Sequence, residues 1–296
     1  MLNKIKIEVF DQRRCTLGEG PTSSGQDNND IMWVDILEGE VLSRNIETGI
    51  VGSYITGENV SFAIPRKHGG QILGTQSGPV LRNVDGSISK LPIHKELNQF
   101  INLKTSRWND AKVARDGSLW LGTMTSVGEP NKSALYRYSH ENNSLNRILG
   151  DVTVSNGMDW SSDNKKFFFI DSGKRSIERF DLEDEGAEIA NRKVMWEVKD
   201  KRFGIPDGMA IDEDDGLWVA FWGGSSVRRF DKNFKITHEI VLPAVNPTSC
   251  VFAGSNLDIL IITTAHNRNV NLTKEDGLTF ICKPGFSGNP TNLFLF

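Results

Sequence analysis

The chain has 296 residues, of which 38% are hydrophobic and 24% charged, and a formal net charge of −4. It carries no basic stripe of the kind that marks nucleic-acid-binding proteins, so we expect no nucleic-acid partner. No apolar run approaches the roughly 20 residues that span a bilayer. The first ten residues alternate like a strand and lack the apolar core of a signal peptide. We therefore expect a cytoplasmic protein without a membrane partner.

The chain carries three cysteines, and neither their number nor their spacing indicates a disulfide framework or a zinc knuckle. Cys15, Cys250 and Cys282 lie far apart, without a Cys-x-x-Cys pair, and we expect them to be small buried hydrophobes. A length prior of about 150 residues per domain suggests two domains, although propellers and barrels exceed it as single units. Because no linker separates two halves, we predict one domain over residues 1–296.

Short β-branched or aromatic runs recur along the chain, and turn residues bound most of them. These runs are Ile31–Asp35, Gln71–Gly74, Ser118–Gly122, Lys166–Asp171, Gly216–Ala220 and Asp258–Ile262. Asp116-Gly117, Asp163-Asn164 and Asp215-Gly216 favour tight hairpin turns before three of them, because such turns need a positive φ. A second, alternating strand follows most runs, as at Val41–Asn45. Helix content should be minimal, with a turn or two within Lys95–Asn102.

The runs repeat in phase along the sequence. Their anchor residues stand at 33, 72, 120, 168, 218 and 260, a spacing of 39 to 50. A period of this size is typical of stacked supersecondary units such as propeller blades. We predict an all-β fold, a six-bladed β-propeller of four-stranded antiparallel blades. A β-sandwich, the structural competitor, would not explain six units in phase. We expect Lys4–Phe10 to complete the last blade beside Asn292–Phe296, which would remove the free sheet edges.

A small polar or charged residue precedes each anchor by 11 to 14 positions. The six residues are Glu19, Ser61, Asn109, Asn156, Asp207 and Ser249. If the units surround one axis, these residues line one mouth of the central channel. Glu19, Asn156 and Asp207 offer only oxygen ligands, which suit a hard divalent cation. The expected cofactor is one divalent cation, with calcium foremost and magnesium, manganese or zinc as alternatives.

The candidate site residues and their neighbours in sequence also have ordinary structural interpretations. Asn156-Gly157 and Asp207-Gly208 are common turn pairs, Asp110 fits a cap or a turn, and Arg107 alone fits a surface cation. The five histidines show no paired ligand spacing, and a Gly-x-Ser-x-Gly nucleophile elbow is absent. Common phase and complementary chemistry therefore carry the prediction of a shared metal site.

Several segments together resemble the gluconolactonase, luciferin-regenerating enzyme and regucalcin family. They are Leu17–Pro21, Trp33–Asp35, Arg107–Asp110, Leu119–Met124, Ser155–Trp160, Phe169–Ser172, Ile205–Met209, Leu217–Ala220, Arg228–Asp231 and Pro247–Cys250. The resemblance implies a six-bladed propeller with one divalent metal in the channel and activity on sugar lactones. It places the metal ligands on Glu19, Asn156 and Asp207, and the substrate contacts on Arg107 and Asn109.

One segment departs from the family pattern. In regucalcin-type members a glutamate shortly after Gly-Thr-Met also contacts the sugar, whereas here the segment reads Thr125-Ser-Val-Gly128, with Glu129 out of register. The identity of the lactone and its ring size therefore stay open.

The sequence leads to a mechanistic hypothesis and to rival functions. The hypothesis is a metal-dependent hydrolase that opens a sugar lactone to the aldonic acid, with Asp207 as the general base. The first rival is another metal-dependent hydrolase on the same scaffold, acting on aryl esters or phosphotriesters. A calcium-binding or ligand-binding protein without turnover and a protein-interaction platform are the others. The oligomeric state stays open.

Overall fold

The regular structure consists of six four-stranded antiparallel sheets, seen in a computed structural model that describes residues 5–24, 27–266 and 273–296. Blade 1 comprises β2 (Gly18–Ser23), β3 (Asp30–Asp35), β4 (Glu40–Asn45) and β5 (Val51–Ile55). Blade 2 comprises β6 (Val60–Pro65), β7 (Gln71–Thr75), β8 (Gly78–Arg82) and β9 (Ile88–Lys90). Blade 3 comprises β10 (Ser106–Val113), β11 (Leu119–Thr125), β12 (Ser133–Ser139) and β13 (Ser144–Val152).

The second half of the chain repeats the same order. Blade 4 comprises β14 (Ser155–Trp160), β15 (Lys166–Asp171), β16 (Ser176–Glu183) and β17 (Glu188–Glu197). Blade 5 comprises β18 (Ile205–Ile211), β19 (Leu217–Trp222), β20 (Ser226–Phe230) and β21 (Ile236–Val241). Blade 6 comprises β22 (Pro247–Ala253), β23 (Ile259–Thr264), β24 (Thr279–Cys282) and β1 (Ile7–Asp11).

The first strand of each blade lies innermost and contacts its counterpart in the next blade. These contacts run from β2 through β6, β10, β14, β18 and β22 and return to β2, which closes the ring. The predicted six-bladed propeller is therefore confirmed. The sequence anchors lie on the second strands, where Trp33, Trp120 and Trp218 are fully buried between blades. The predicted hairpin turns adopt the positive φ they require, with φ of 78° at Gly117 and 58° at Asp215.

Helical structure in the described residues is limited to single turns. Two 3-10 helices, Pro92–Lys95 and Leu97–Gln99, lie in and just before the segment predicted to hold a turn or two. Two more are Asp184–Gly186 and Lys201–Phe203. None of the helices in the described ranges has the length and apolar character needed to cross a membrane.

The ring closes as predicted in one respect and differently in another. The N-terminal strand β1 does complete the last blade, but it pairs with β24, through Ile7–Cys282 and Val9–Phe280. The prediction that its neighbour is Asn292–Phe296 was wrong; Lys4 lies outside the described residues. The reason is that Thr279–Cys282 already supplies the third strand of blade 6. The last fourteen residues are left free to run elsewhere.

The C-terminal segment, residues 283–296, crosses the end of the channel at which the innermost strands finish. Thr291 Oγ1 accepts a hydrogen bond from Ser23 Oγ at 2.9 Å, and Asn292 Nδ2 donates to Val113 O at 3.0 Å. Phe294 N donates to Pro65 O at 3.0 Å. These partners belong to the innermost strands of blades 1, 3 and 2. The segment therefore fastens three blades together, while the N-terminal ends of the same strands remain at the opposite mouth.

Phe294 anchors this C-terminal segment, and its loss should measurably destabilise the protein. The ring is fully buried against a cluster that includes Phe62, Ile64 and Tyr138. We expect Phe294→Ala to lower the free energy of unfolding by about 3–5 kcal/mol, the usual cost of truncating a buried aromatic side chain. Urea denaturation measures it, with Val84→Ala as the control because Val84 is 78% exposed. An unchanged midpoint for Phe294→Ala would contradict an anchoring role.

Candidate functional site

Every innermost strand carries an irregularity in its pairing with the second strand of its blade. The shifts lie between Glu19 and Thr22, Val60 and Ala63, Trp108 and Ala111, Ser155 and Met158, Pro206 and Met209, and Pro247 and Ser249. A bulge leaves an extra residue unpaired and re-aims its side chain. Asn109, Asn156 and Asp207 are each the first residue inside such a bulge. The polar positions found in the sequence are thus places where the chain leaves regular pairing.

The common phase inferred from the sequence holds within one residue. Ser61, like the three residues above, begins a bulge. Glu19 still pairs with Val34, and its bulge begins at Gly20. In blade 6 the bulge position belongs to Thr248, and Ser249 pairs again with Thr263.

Glycines let the bulges of blades 4 and 5 approach each other closely. A Cβ atom on Gly157 would stand 2.7 Å from Met209 N and 2.8 Å from Asp207 O. A Cβ on Gly208 would stand 2.1 Å from Ser249 Oγ. No side chain fits at these distances, so the glycines that follow Asn156 and Asp207 are needed for the bulges to pack around the channel.

Three carboxylates and one guanidinium gather at this end of the channel. Glu19 and Asp207 are each only 6% exposed. Burial, and then repulsion from Asp110, raise the pKa of Glu19 well above its usual range. Burial, and then repulsion from Glu19 and Asp110, do the same to the pKa of Asp207. Burial raises the pKa of Asp110 to about 7, although Arg107 opposes the shift. Each shift reports a buried negative charge that lacks full compensation.

The two candidate ligand carboxylates have few protein partners. Across the described ranges, the Asp207 carboxylate accepts no hydrogen bond, and the Glu19 carboxylate accepts one, from Gly20 N at 3.1 Å. Neither forms an ion pair there, and Arg107 has no ion-pair partner within the same residues. Buried charges are normally paired or bind a metal. Oxygen donors in this state fit a divalent cation.

The carboxylates alone do not complete a cation site. Among the described residues, no three His, Cys, Asp or Glu side chains form a group that could hold a metal ion. A cation site built on Glu19 and Asp207 would need further oxygen donors, and the amide oxygen of Asn156 is one candidate. That oxygen is buried and accepts a hydrogen bond from Asn109 Nδ2 at 2.6 Å, which leaves its second lone pair available.

Asn109 connects Arg107 to Asn156. Its Oδ1 accepts from Arg107 Nη1 at 2.5 Å, and its Nδ2 also donates to Ser155 O at 2.7 Å. Both amide hydrogens of Asn109 are thus used within the protein. Arg107 Nη1 also donates to Trp108 O at 2.9 Å. The substrate residues predicted from the sequence lie beside the predicted ligands. Within the described part of the chain, Arg107 has more N–H donors without a hydrogen-bond partner than Asn109 has.

Two bulge side chains in other blades have a structural role that Glu19 and Asp207 do not share. Ser61 Oγ donates to Trp108 O at 2.6 Å, and Thr248 Oγ1 donates to Gly18 O at 2.6 Å. Each bond joins one blade to the next. Among the described residues, the side chains of Glu19 and Asp207 form no such bond to a neighbouring blade. Their carboxylate oxygens therefore take no part in the hydrogen bonds that join these blades.

Two buried aspartates hold the segments that lead into the site. Asp35 accepts hydrogen bonds from the backbone N–H groups of residues 16 and 17, at 2.6 and 3.0 Å. Asp171 accepts from those of residues 153 and 154, at 3.0 and 3.1 Å. These contacts fix the backbone just before Glu19 and Asn156.

A cavity of 360 Å³ lies in the channel beyond the carboxylates. Asp110 and Gly157 line it on the side of the site, and residues 289–292 line it on the far side. Lys112 and Asp159 form an ion pair within its wall. The cavity makes Asp110 a residue shared between the site and the channel below it.

Two residues of this site, Asp110 and Ser172, have no functional role that the sequence predicts. The sequence favours a cap or a turn for Asp110, yet this residue lies in the bulge of blade 3 and interacts electrostatically with Glu19 and Asp207. Its signal is its place directly after Asn109. Ser172 stands in the sequence only as part of a motif, and its hydroxyl contacts Asn156 Nδ2 at 2.7 Å. This contact lies within blade 4, and a second bond from Ser172 Oγ to Pro206 O reaches blade 5.

The raised pKa values predict that metal-free protein loses stability as pH rises. The folded state keeps protons on Glu19, Asp110 and Asp207 that the unfolded chain releases above its ordinary carboxyl pKa. The free energy of unfolding therefore falls with pH between about 5 and 8. A bound divalent cation favours the ionised groups, so the rise in Tm on adding calcium should grow across this range. Thermal scans at several pH values measure this rise in Tm. A rise that becomes smaller as pH increases would contradict the prediction that these carboxylates bind a cation.

The fold and the site define a class: a six-bladed propeller that gathers buried carboxylates, an amide oxygen and a guanidinium at one end of its channel. Comparison with known proteins places the chain within this class. The family model described as the SMP-30/Gluconolactonase/LRE-like region matches residues 17–266. The chain is 32% identical to regucalcin of Danio rerio over 268 residues, covering 90% of this chain and 88% of that protein. It belongs to the SMP-30/gluconolactonase/LRE-like family.

Further relatives agree with this membership. The protein named "Putative sugar lactone lactonase YvrE" of Bacillus subtilis is 33% identical over 254 residues, covering 85% of this chain and 84% of that protein. The structure of a luciferin-regenerating enzyme superposes with a TM-score of 0.90 at 25% identity, covering 99% of this chain and all of that one. A regucalcin from Agrobacterium tumefaciens, described as a calcium-binding protein, superposes with a TM-score of 0.88 at 22% identity. The superposition covers 99% of this chain and 98% of that one. The resemblance inferred from the sequence is confirmed.

Proposed function

We propose that this protein is a metal-dependent lactonase that opens a sugar lactone to the aldonic acid. One observation carries the proposal: Glu19 and Asp207 are buried, almost without donors, beside the amide of Asn156 and the guanidinium of Arg107. The family membership and a relative named as a sugar lactone lactonase support the reaction class. A cytoplasmic location is also proposed, and the three unpaired cysteines support it.

The proposed cofactor is one divalent cation held by Glu19, Asn156 and Asp207. Calcium suits these oxygen donors best, and magnesium, manganese and zinc are the alternatives to test. When bound, the cation would polarise the lactone carbonyl and stabilise the negative charge that develops on its oxygen.

The residues of the chain supply the proton transfers and the orientation. An oxygen of the Asp207 carboxylate takes a proton from the attacking water as that water adds to the lactone carbonyl carbon. The bond from this carbon to the ring oxygen then breaks, and Asp207 returns the proton to the ring oxygen, which becomes a hydroxyl. Arg107 donates to sugar hydroxyls, and Asn109 accepts a hydrogen bond through the remaining lone pair of its Oδ1.

The preferred lactone depends on the rim beside Arg107. Arg107 pairs with Met124, so the segment after β11 begins next to it. Val127 in this segment is 82% exposed. Glu129 N donates to Thr125 Oγ1 at 2.7 Å. Because this segment departs from the family pattern, the substrate panel should span five- and six-membered lactone rings with many and few hydroxyls.

The deciding experiment is hydrolysis of that lactone panel by chelated protein, with metals added back singly. The proposal expects turnover of at least one sugar lactone that vanishes on chelation and returns with one metal. Hydrolysis of aryl esters or phosphotriesters in place of lactones would assign the site to the rival hydrolase. A direct calcium titration runs alongside. Tight binding without turnover of any ester would make the protein a calcium-binding module.

A further inference from the structure

The hydrogen bonds around Asn156 form a chain with a fixed direction. Arg107, at one end, only donates, and its Nη1 donates to Asn109 Oδ1. Asn109 Nδ2 then donates to Asn156 Oδ1, and Asn156 Nδ2 donates to Ser172 Oγ at 2.7 Å. Ser172 Oγ donates to Pro206 O at 2.5 Å. The last group is a carbonyl and only accepts.

The two ends of this chain leave Asn156 a single orientation. The Ser172 hydroxyl has one hydrogen, and Pro206 O draws it, so a lone pair of Ser172 Oγ faces Asn156. Only the NH₂ group of the amide can meet that lone pair. The amide oxygen of Asn156 must therefore face Asn109. Were the amide reversed, two acceptors would face each other at Ser172 and two donors at Asn109.

Blade 4 differs from blades 2, 3 and 6 at this point. Ser61, Asn109 and Thr248 each donate directly to a backbone carbonyl of the adjoining blade. Asn156 reaches the carbonyl of blade 5 only through the inserted hydroxyl of Ser172. Ser172 is 9% exposed and follows β15 directly, so its backbone is held by the second strand of blade 4. Pro206, its acceptor, is the residue before Asp207.

We propose that Ser172 is a positioning residue that fixes the orientation in which the amide oxygen of Asn156 would bind the cation, and that it ties Asn156 to the strand of Asp207. This rests on the proposed function, because it takes Asn156 and Asp207 as ligands. Partners that orient ligating side chains typically change metal affinity 10- to 100-fold when removed. The contact also spaces the two ligands, since one hydroxyl bonds both the amide of Asn156 and the backbone next to Asp207.

The test is calcium affinity, measured by calorimetric titration of chelated full-length protein. We expect Ser172→Ala to weaken calcium binding about 10- to 100-fold, and Ser172→Thr, which keeps the hydroxyl, to bind much closer to wild type. Tyr136→Phe is the matched control: it also removes a hydroxyl bond to a backbone carbonyl, Phe100 O at 2.7 Å, but on the third strand of blade 3, away from the channel. It should lower stability and leave calcium affinity unchanged.

The outcomes separate this inference from the proposed function. Wild-type affinity in Ser172→Ala, or equal weakening in Tyr136→Phe, would overturn the role of Ser172 while the lactonase proposal stands. A wild-type protein that binds none of calcium, magnesium, manganese and zinc would overturn both. If Ser172→Ala does not fold, Ser172→Cys is measured instead, because the thiol is a weaker donor and acceptor in a similar volume. It should also weaken binding, and unchanged affinity would overturn the inference.

Discussion

Asp207→Asn is expected to lower kcat for lactone hydrolysis by about 10²- to 10⁴-fold at saturating metal, the usual contribution of a positioned general base. The amide keeps an oxygen for the cation but cannot accept the proton of the attacking water. Saturation is established first by titrating the metal against the variant. Steady-state rates are then compared with those of the wild type. Undiminished kcat would remove Asp207 from the role of base.

Asp110→Asn is the matched control for this prediction. Asp110 is a neighbouring carboxylate of the same chemistry, and its pKa is also raised, to about 7. It lies in the bulge of blade 3 and lines the cavity below the site. We expect a smaller loss of kcat for Asp110→Asn than for Asp207→Asn. The reverse order would assign the base to Asp110.

Glu19→Gln is expected to weaken divalent-cation binding on the order of 10²-fold, because the charge of the ligand set strongly tunes affinity for calcium. About 2.7 kcal/mol of binding free energy corresponds to such a change. Turnover should return when the metal concentration is raised, since the proton-transfer group is intact. Calorimetric titration and rates at several metal concentrations measure the two effects.

Glu58→Gln controls for the loss of one negative charge on the same face of the propeller. Glu58 precedes β6 and accepts hydrogen bonds from Ser77 N and Ser77 Oγ, both at 2.7 Å. The Glu58→Gln substitution should change metal affinity little. Equal affinities of Glu19→Gln and wild type would show that Glu19 is not a ligand. A loss of turnover that metal does not restore would give Glu19 a different role.

The propeller could be predicted because its signal is repeated. Six buried runs with turn residues between them give the same pattern many times, so an error in one strand does not disturb the whole. The course of the C-terminal segment could not be predicted this way. Phe294 and Asn292 make contacts with blades 2 and 3, more than 170 positions away in sequence. Such contacts occur once and leave no periodic trace.

The common phase of the candidate site residues could be predicted from the sequence, whereas their finer arrangement could not. Equivalent positions of a ring must meet at its axis. For this reason the regular spacing between the polar residues and the strand anchors is enough to group Asn109, Asn156 and Asp207. The one-residue offset of Glu19 depends on where the bulge of blade 1 begins. The direction of the hydrogen bonds through Ser172 depends on packing between blades. Neither is encoded in the spacing of residue types.

The most direct test of the proposed metal site is a crystal structure of manganese-loaded protein, with the ion located by its anomalous scattering. We predict one ion at the mouth of the channel, with oxygen atoms of Glu19, Asn156 and Asp207 in its coordination shell at about 2–2.6 Å. An ion held elsewhere, or none near these three side chains at saturating manganese, would contradict it.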